Sequence, residues 1–512
     1  MKRVTLSNAS FALLLALVYT LVAGFVVSRH EIWRDEAQTF LMAKDSRSVP
    51  ELLHRVKNDI HPPLWHLVLF SLTRVTSSPA AMQVLHLAIA AAAVFLFARF
   101  APFSRLNKIL FAAGYYALFE YGVIARNYAL GVLFLFLFCV FYPRRRERFL
   151  LLGASVALLA LTSMQALILA VALTLALAAE RFPGGRASAP RLFLPGLGLA
   201  LAGIAASVLA ALPNPESIYA VRVRFVFDAE LILPVLRTIP KAFFPLPIPQ
   251  FHFWNTSLIT YLPAPHITLH LLAALILLYS LFLFSRHRPA LITFALATSA
   301  LAAFSYFNYF GYLRHHGFYF LVFLSALWMT SSAAAPAPGS RRDGRLAWLT
   351  AACRRAAPAA LTFILAIQAL AGAYASARDI RDPFSRGRAV ADFLQKRGWE
   401  DRVLVGDIDY VMSSISVHLG RPIYLSRSQR WGTYQLNVYP PRRATDMNHI
   451  AADAERLSRE RGKNFLLILN YPLDRRSLTS RSLSLVGKTG KAIVEDEAFY
   501  IYRKFGDAAR SR

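Results

Sequence analysis

The sequence predicts a polytopic α-helical membrane protein with a soluble α/β domain at its C-terminal end, and three observations carry that prediction. Hydrophobic residues make up 56% of the 512 residues, charged residues only 17%, and the mean hydropathy is +0.42. An apolar share of that size exceeds what a soluble globular chain normally carries. Several apolar runs also approach the roughly 20 residues needed to cross a bilayer core. Beyond Arg378 those long runs stop, and short helix and strand patterns alternate instead.

The formal net charge of +28 invites a nucleic-acid reading. Much of the excess, however, lies in short loops between apolar runs: Arg144-Arg145-Arg146-Glu147-Arg148, Arg286-His287-Arg288, and Arg341-Arg342 with Arg345. That is the cytoplasmic-loop bias of an inner-membrane protein, so membrane lipids are the expected surroundings and no nucleic-acid partner is expected. Cys139 and Cys353 fall in or beside apolar segments near the inferred cytoplasmic face. No structural disulfide and no metal-type cysteine spacing follow from them.

Taken in order, Met1-Lys2-Arg3 precedes an apolar stretch from Phe11 to Val27. It is long for a signal peptide and lacks a small-x-small cleavage site, so it reads as a retained first span with the N-terminus inside. The polar loop 28–62 then lies outside, with amphipathic helices at Asp35–Ala43 and Val49–Lys57 placed on the membrane surface. Pro62 and Pro63 suit a helix start, where missing N–H groups cost little. Leu64–Leu72 is too short to span and reads as interfacial or re-entrant.

Further spans follow at Pro79–Arg99, at a segment ending near Glu120, and at Asn127–Tyr142. Two closely spaced runs flank Thr162-Ser163-Met164-Gln165, the basic loop 181–191 returns inside, and another span ends near Leu212. A long external loop, 213–266, is rich in Pro and aromatics, which favour the headgroup layer. Spans near 267–285, 289–304, 317–332 and 357–376 bring the total to about eleven. Residues 1–376 thus form the transmembrane domain and 377–512 the external soluble domain, with helices at 388–397 and 445–461 and strands at 402–406, 465–469 and 498–503. No GxGxxG fingerprint, P-loop or internal repeat is visible.

Candidate chemistry gathers on the external side. Asp35 and Glu36 form an acidic pair at a membrane surface in a chain where acids are scarce. A carboxylate there acts as general base once a substrate hydroxyl comes within hydrogen-bond reach; the bland alternative is a solvated loop with an Arg34 salt bridge. In Glu120-Tyr121-Gly122-Val123-Ile124-Ala125-Arg126-Asn127-Tyr128, Arg126 offers a planar fork for an anionic phosphate, against a plain interfacial arginine. Arg314 with His315 and His316 is a second phosphate or substrate contact, and adjacent histidines rarely share a metal. His61 and His66 are placed on one side of a short helix, facing the same cavity or packing. Arg222 and Arg224 are weaker candidates, and Asn255-Thr256-Ser257 matches a glycosylation acceptor pattern without other signs of a eukaryotic secretory context.

Asp35-Glu36 after the first span, His61-Pro62-Pro63-Leu64 before the next helix, and Ala125-Arg126-Asn127-Tyr128-Ala129-Leu130 form a set. In order and topology the chain resembles the bacterial family 39-type glycosyltransferases of the GT-C class. That group is similar to protein O-mannosyltransferases and lipid A aminoarabinose transferases. The resemblance covers about residues 1–330, with its specific motifs before residue 135. It implies a GT-C-like fold and an inverting hexosyl- or mannosyltransferase-like enzyme using a polyprenyl-phosphate sugar at the outer face of the cytoplasmic membrane. The acceptor is a glycan, lipid or protein.

By the same resemblance Asp35 is the base, and Glu36 orients the acceptor or Asp35. His61, Glu120, Arg126, Tyr128, Arg314, His315 and His316 are the expected substrate-binding set. One departure stands out: Ile124 occupies a position that is often acidic in relatives, and Glu120, four residues earlier, is the candidate replacement. No cofactor is assigned, and a divalent metal is left open. The alternatives are a transporter or flippase of lipid-linked sugars, marked by charges inside spans, and a non-catalytic envelope assembly protein.

Overall fold

The computed structural model describes residues 6–180, 192–219, 227–331, 347–438 and 446–504. The N-terminal part is a helical bundle with α1 (Asn8–Arg29), α2 (Arg34–Asp45), α3 (Val49–Lys57), α4 (Leu64–Thr73), α5 (Pro79–Phe100), α6 (Arg105–Ala112), α7 (Tyr128–Phe141), α8 (Phe149–Ala160), α9 (Met164–Ala178) and α10 (Phe193–Ala211). It continues through α11 (Ala229–Leu236), α12 (Thr238–Phe243), α13 (Pro265–Phe284), α14 (Arg288–Phe307), α15 (Leu313–Thr330) and α16 (Ala347–Arg381). Among the described residues six helices are long and apolar enough to cross a membrane: α1, α5, α10, α13, α14 and α16. The chain is an integral membrane protein. The other expected spans are shorter: α7, α8 and α9 are short apolar helices, and α15 has 18 residues.

Helix α15 is buried along nearly its whole length, from Leu313 to Met329, so it is the central post of the bundle. A helix that is apolar all round belongs inside. Helices α8 and α10 pack directly on one another. A Cβ on Gly153 would meet the Gly196 backbone, so both positions need glycine for the helices to approach this closely.

The expected span ending near Glu120 is not one helix. Helix α6 stops at Ala112, and a π-helical turn, Tyr115–Glu120, follows Gly114. Gly372 of α16 sits against the backbone of Ala113 to Tyr115, so the break is where α16 crosses. Such turns are frequent at functional sites. Helix α16 itself has 35 residues, about 52 Å of rise, so it projects well beyond a bilayer core and carries Asp379 toward the loops.

Past α16 come α17 (Gly387–Lys396), β1 (Val403–Gly406), α18 (Asp409–Leu419), β2 (Ile423–Leu425), β3 (Arg430–Gly432), α19 (Met447–Arg461), β4 (Phe465–Leu469), α20 (Arg475–Ser480), β5 (Leu483–Lys488) and β6 (Tyr500–Lys504). The sheet order is β3-β2-β1-β4-β6-β5, with β2, β1 and β4 parallel and the outer pairings antiparallel. Alternate strand residues serve opposite faces. Leu404, Leu466 and Ile468 pack with α17 and α18, while Val403, Val405 and Leu467 pack with α19. Both faces are covered, which explains the continuous apolar runs in β1 and β4.

The amphipathic helix expected on the membrane surface is instead sandwiched. Phe40, Leu41 and Met42 of α2 are buried, packed with Trp65 and Leu69 of α4 and with Val417 and Tyr434 of the C-terminal domain. The periodic pattern that reads as a membrane-facing stripe is satisfied by protein on two sides.

Candidate functional site

The site is built on the N-terminus of α2. Trp33 precedes the helix in extended conformation, and Glu36 at the third helical position accepts from the Trp33 backbone N–H at 3.2 Å. That bond, with the Ala37 N–H donating to the Trp33 carbonyl at 3.0 Å, fixes where the helix begins. Asp35 and Glu36 then point in different directions because neighbours on a helix do not share a face. Asp35 keeps 29% of its side chain exposed, whereas Glu36 is fully buried.

Asp35 Oδ2 lies 3.1 Å from Arg126 Nη1 and 3.5 Å from Arg314 Nη2. Three residues separated by most of the transmembrane domain in sequence therefore converge on one point. Both arginines are 9% exposed, and neither Nε has a partner among the described residues. The Arg314 guanidinium lies 5.5 Å from the Trp33 ring and 5.4 Å from the Trp254 ring. Arg34, the bland partner for Asp35, turns the other way. It pairs with Asp496, its backbone N–H donates to Glu497 Oε1 at 3.0 Å, and its guanidinium sits 4.8 Å from the Tyr410 ring.

Glu36 is the hub of a buried chain. Its Oε1 accepts from the Ala125 backbone N–H at 2.6 Å, and its Oε2 lies 3.0 Å from His30 Nε2. His30 Nδ1 lies 2.8 Å from Asp379 Oδ2. Burial lowers the His30 pKa, yet the flanking Asp379 and Glu36 carboxylates hold it well above the usual imidazole range. The imidazolium thus donates to both acids and ties α2, the residue before Arg126, and the end of α16 together.

Glu120 is buried, accepting from Tyr115 Oη at 2.8 Å and from Trp254 Nε1 at 3.0 Å. It braces the tryptophan under Arg314 rather than reaching Asp35. Tyr128 is buried against Phe318 and His315. His315 Nδ1 accepts from the Tyr312 N–H at 2.9 Å, and His316 Nε2 bonds the Phe310 carbonyl at 2.9 Å, so the pair anchors the start of α15.

His61 bonds Asp59, whose carboxyl is held at about 2 despite burial by that hydrogen bond and the charges of His61, His66 and Arg126. The His61 and His66 rings stand 6.4 Å apart. Neither is among the residues lining the cavity at Asp35, whereas Asp59, the partner of His61, is. Arg222 and Arg224 lie outside the described residues. Among the described residues no group of three or more His, Cys, Asp or Glu forms a metal-holding set, and both cysteines are free.

Asp35 and Arg314 open into a cavity of about 840 Å³ that the bundle and the C-terminal domain enclose together. Sequence reasoning missed part of its wall. Trp254 sits in an aromatic run that reads as a headgroup belt but folds inward, with its ring 4.7 Å from Trp33. Tyr410, Gln435, Asn437 and Asp496 come from the C-terminal domain, and no local signal marks them.

Burial at the junction also sets a pH dependence. Desolvation raises Glu31 to about 7 against Arg386 and Arg388, and raises Glu497 to about 7 against Arg34. A carboxyl whose folded pKa is raised gives stability that is present below its unfolded pKa and lost as pH rises through the folded value. Two such groups lose it between roughly pH 4.5 and 7, and His30 loses its share further on the alkaline side. Relative to wild type, Glu31→Gln and Glu497→Gln are expected to gain melting temperature steadily as pH rises from 5 to 8, because each removes a group that loses stability over that range. Variant profiles that run parallel to the wild type contradict this.

No known protein family profile matches the sequence, and no curated protein matches it. Solved structures are similar to it, among them two of one protein. ArnT from Cupriavidus metallidurans bound to undecaprenyl phosphate aligns over 98% of this chain and 99% of that chain, at 10% identity and a TM-score of 0.51. The apo state of the same protein aligns over 97% and 98%, at 12% identity and a TM-score of 0.46. The chain therefore has an ArnT-like, GT-C-like fold, a membrane helix bundle followed by a small sheet domain.

Proposed function

We propose that the protein is a membrane glycosyltransferase of the family 39 type. It moves a hexose-type sugar from a polyprenyl-phosphate donor to an acceptor hydroxyl at the outer face of the cytoplasmic membrane. The observation that carries this reading is the convergence of Arg126 and Arg314 on Asp35, at 3.1 and 3.5 Å, beside a cavity that Asp35 and Arg314 line. The similar fold of a protein solved with undecaprenyl phosphate supports a polyprenyl phosphate as the lipid partner. The arginine-rich short loop at 144–148 supports the orientation.

In this mechanism the donor phosphate takes up Arg126 and Arg314, whose forks suit two oxygens each. That contact draws the arginines from Asp35 and leaves its carboxylate free to accept a proton. The acceptor oxygen forms its bond to the anomeric carbon from the side opposite the phosphate. The carbon–oxygen bond to phosphate breaks, its electron pair leaves with the phosphate, and the acceptor proton moves to Asp35. Configuration inverts. The arginines stabilise the charge that develops on the departing oxygen. Glu36, Glu120 and His30 position these groups without touching substrate.

Arg314→Ala is expected to weaken undecaprenyl phosphate binding about 10- to 100-fold, the worth of a charged hydrogen-bonded contact. Binding to the reconstituted protein, followed by quenching of its tryptophan fluorescence, checks this. An unchanged affinity removes the phosphate role.

A further inference from the structure

Arg237, Lys241 and His266 meet at another cavity, of about 280 Å³, where the junction of α11 and α12 faces the first turn of α13. Pro234, Leu269 and Phe310 supply apolar lining, and among the described residues no carboxylate lines it. The Arg237 guanidinium donates to His266 Nδ1 at 2.6 Å, which leaves the imidazole proton on Nε2 as a further donor. Lys241 makes no hydrogen bond or ion pair among the described residues. The charge acting on it is a like one, Arg237. Two half-buried cations side by side without an acid repel each other, and an anion between them relieves that repulsion. The start of α13, a 20-residue helix whose N-cap Ala264 offers no side-chain cap, adds partial positive charge at the same place.

Position in the fold selects the class of anion. Helices α13 and α14 are long and apolar enough to cross a membrane, and α11 packs against both. Leu233, Tyr261 and Ile267, each next in sequence to a residue lining the cavity, are large apolar side chains left exposed. Such surface belongs in the layer between acyl chains and headgroups, where basic side chains meet lipid phosphate. A free anion gains nothing from that apolar rim, whereas the acyl chains of a lipid cover it.

This cavity shares no lining residue with the one at Asp35. The segment from Tyr309 to Tyr312 divides them. Tyr309 and Tyr312 line the Asp35 cavity, Phe310 lines the basic one, and Gly311 between them takes a positive φ of 81°. A phosphate held by Lys241 therefore stands on the far side of that wall from Asp35. We propose that Arg237, Lys241 and His266 form a headgroup site for an anionic phospholipid of the bilayer, with its phosphodiester in the cavity and its acyl chains along α11 and α13. The site does not depend on the transferase reading.

The experiment titrates the full chain in detergent with phosphatidylglycerol, phosphatidylcholine, diacylglycerol, undecaprenyl phosphate and inorganic phosphate separately, and native mass spectrometry counts the bound molecules. One phosphatidylglycerol is expected to bind, about tenfold more weakly in Lys241→Gln and in Arg237→Gln. Lys241→Arg keeps the charge and is expected to keep the affinity. Arg148→Gln, in the exposed loop between α7 and α8, is the control for diffuse attraction to a basic chain and is expected to leave it unchanged. Melting temperatures of the lipid-free variants report folding. Diacylglycerol, which lacks phosphate, and phosphatidylcholine, whose choline brings a cation beside Lys241, are expected to bind at least tenfold more weakly than phosphatidylglycerol.

The proposal is overturned by a phosphatidylglycerol affinity that Lys241→Gln and Arg237→Gln leave unchanged, or by an equal loss in Arg148→Gln. Displacement of the lipid by inorganic phosphate makes this a site for a soluble anion and overturns it too. So does a Lys241→Gln protein that loses undecaprenyl phosphate rather than phosphatidylglycerol, which assigns the cavity to the donor. The transferase reading fails by a different result, an Arg314→Ala protein with full undecaprenyl phosphate affinity.

Discussion

Asp35→Asn is expected to lower sugar transfer by about 10²- to 10⁴-fold, the usual worth of a general base, while leaving the fold intact. Asparagine keeps the size of the side chain and one oxygen facing Arg126 and Arg314, so the pair of arginines still has a neighbour. What it loses is the capacity to take the acceptor proton. The variant therefore separates chemistry from assembly. Undecaprenyl phosphate binding should persist, because the arginines that hold the phosphate remain and no longer have a carboxylate competing for them. Mass spectrometry of envelope glycans and glycoproteins from a deletion strain, complemented with wild type or with Asp35→Asn, reads the outcome in cells. Full complementation by Asp35→Asn sinks the assignment of the base.

Glu36→Ala is expected to act on the structure rather than on the proton. It strips the acceptor from the Ala125 and Trp33 N–H groups and removes one of the two carboxylates that flank the buried His30. Breaking a buried, hydrogen-bonded charge pair in this way costs about 3–5 kcal/mol. The fall in melting temperature in detergent should be large, and Asp379→Ala should reproduce part of it from the far end of the chain. Glu36→Gln, which keeps the shape and one acceptor oxygen, should lose less. If Glu36→Ala keeps wild-type stability and loses only activity, the glutamate belongs to the chemistry and the positioning role is wrong.

The adjacent acids Asp35 and Glu36 show where sequence reasoning stops. Their scarcity-defying presence after the first span marks the place, and the arginines Arg126 and Arg314 are legible as the groups that meet an anion. Division of labour between the two acids is not legible. It depends on the helix starting at Arg34, so that one side chain meets the cavity and the other turns inward toward Ala125 and His30. His315 and His316 look like ligands in sequence because histidines beside an arginine suggest phosphate. In the fold one ring nitrogen of each is taken, by the Tyr312 N–H and the Phe310 carbonyl, backbone groups at the head of α15. A helix start leaves orphan N–H groups that some acceptor must satisfy, and one of these rings does so.

The sequence by itself determined the membrane bundle, the alternating strands and helices after Arg378, and the acidic and basic residues that meet at one end. Hydropathy, loop charge and period-two runs are local properties, and each reads directly from a window of residues. Only the tertiary structure decided that α2 is buried between bundle and C-terminal domain, that Trp254 folds under Arg314, and that Gln435, Asn437 and Asp496 form the far wall of the cavity. Those contacts join residues hundreds of positions apart. They form because the C-terminal domain buries Val417 and Tyr434 on α2, and no window of sequence contains both sides of that contact.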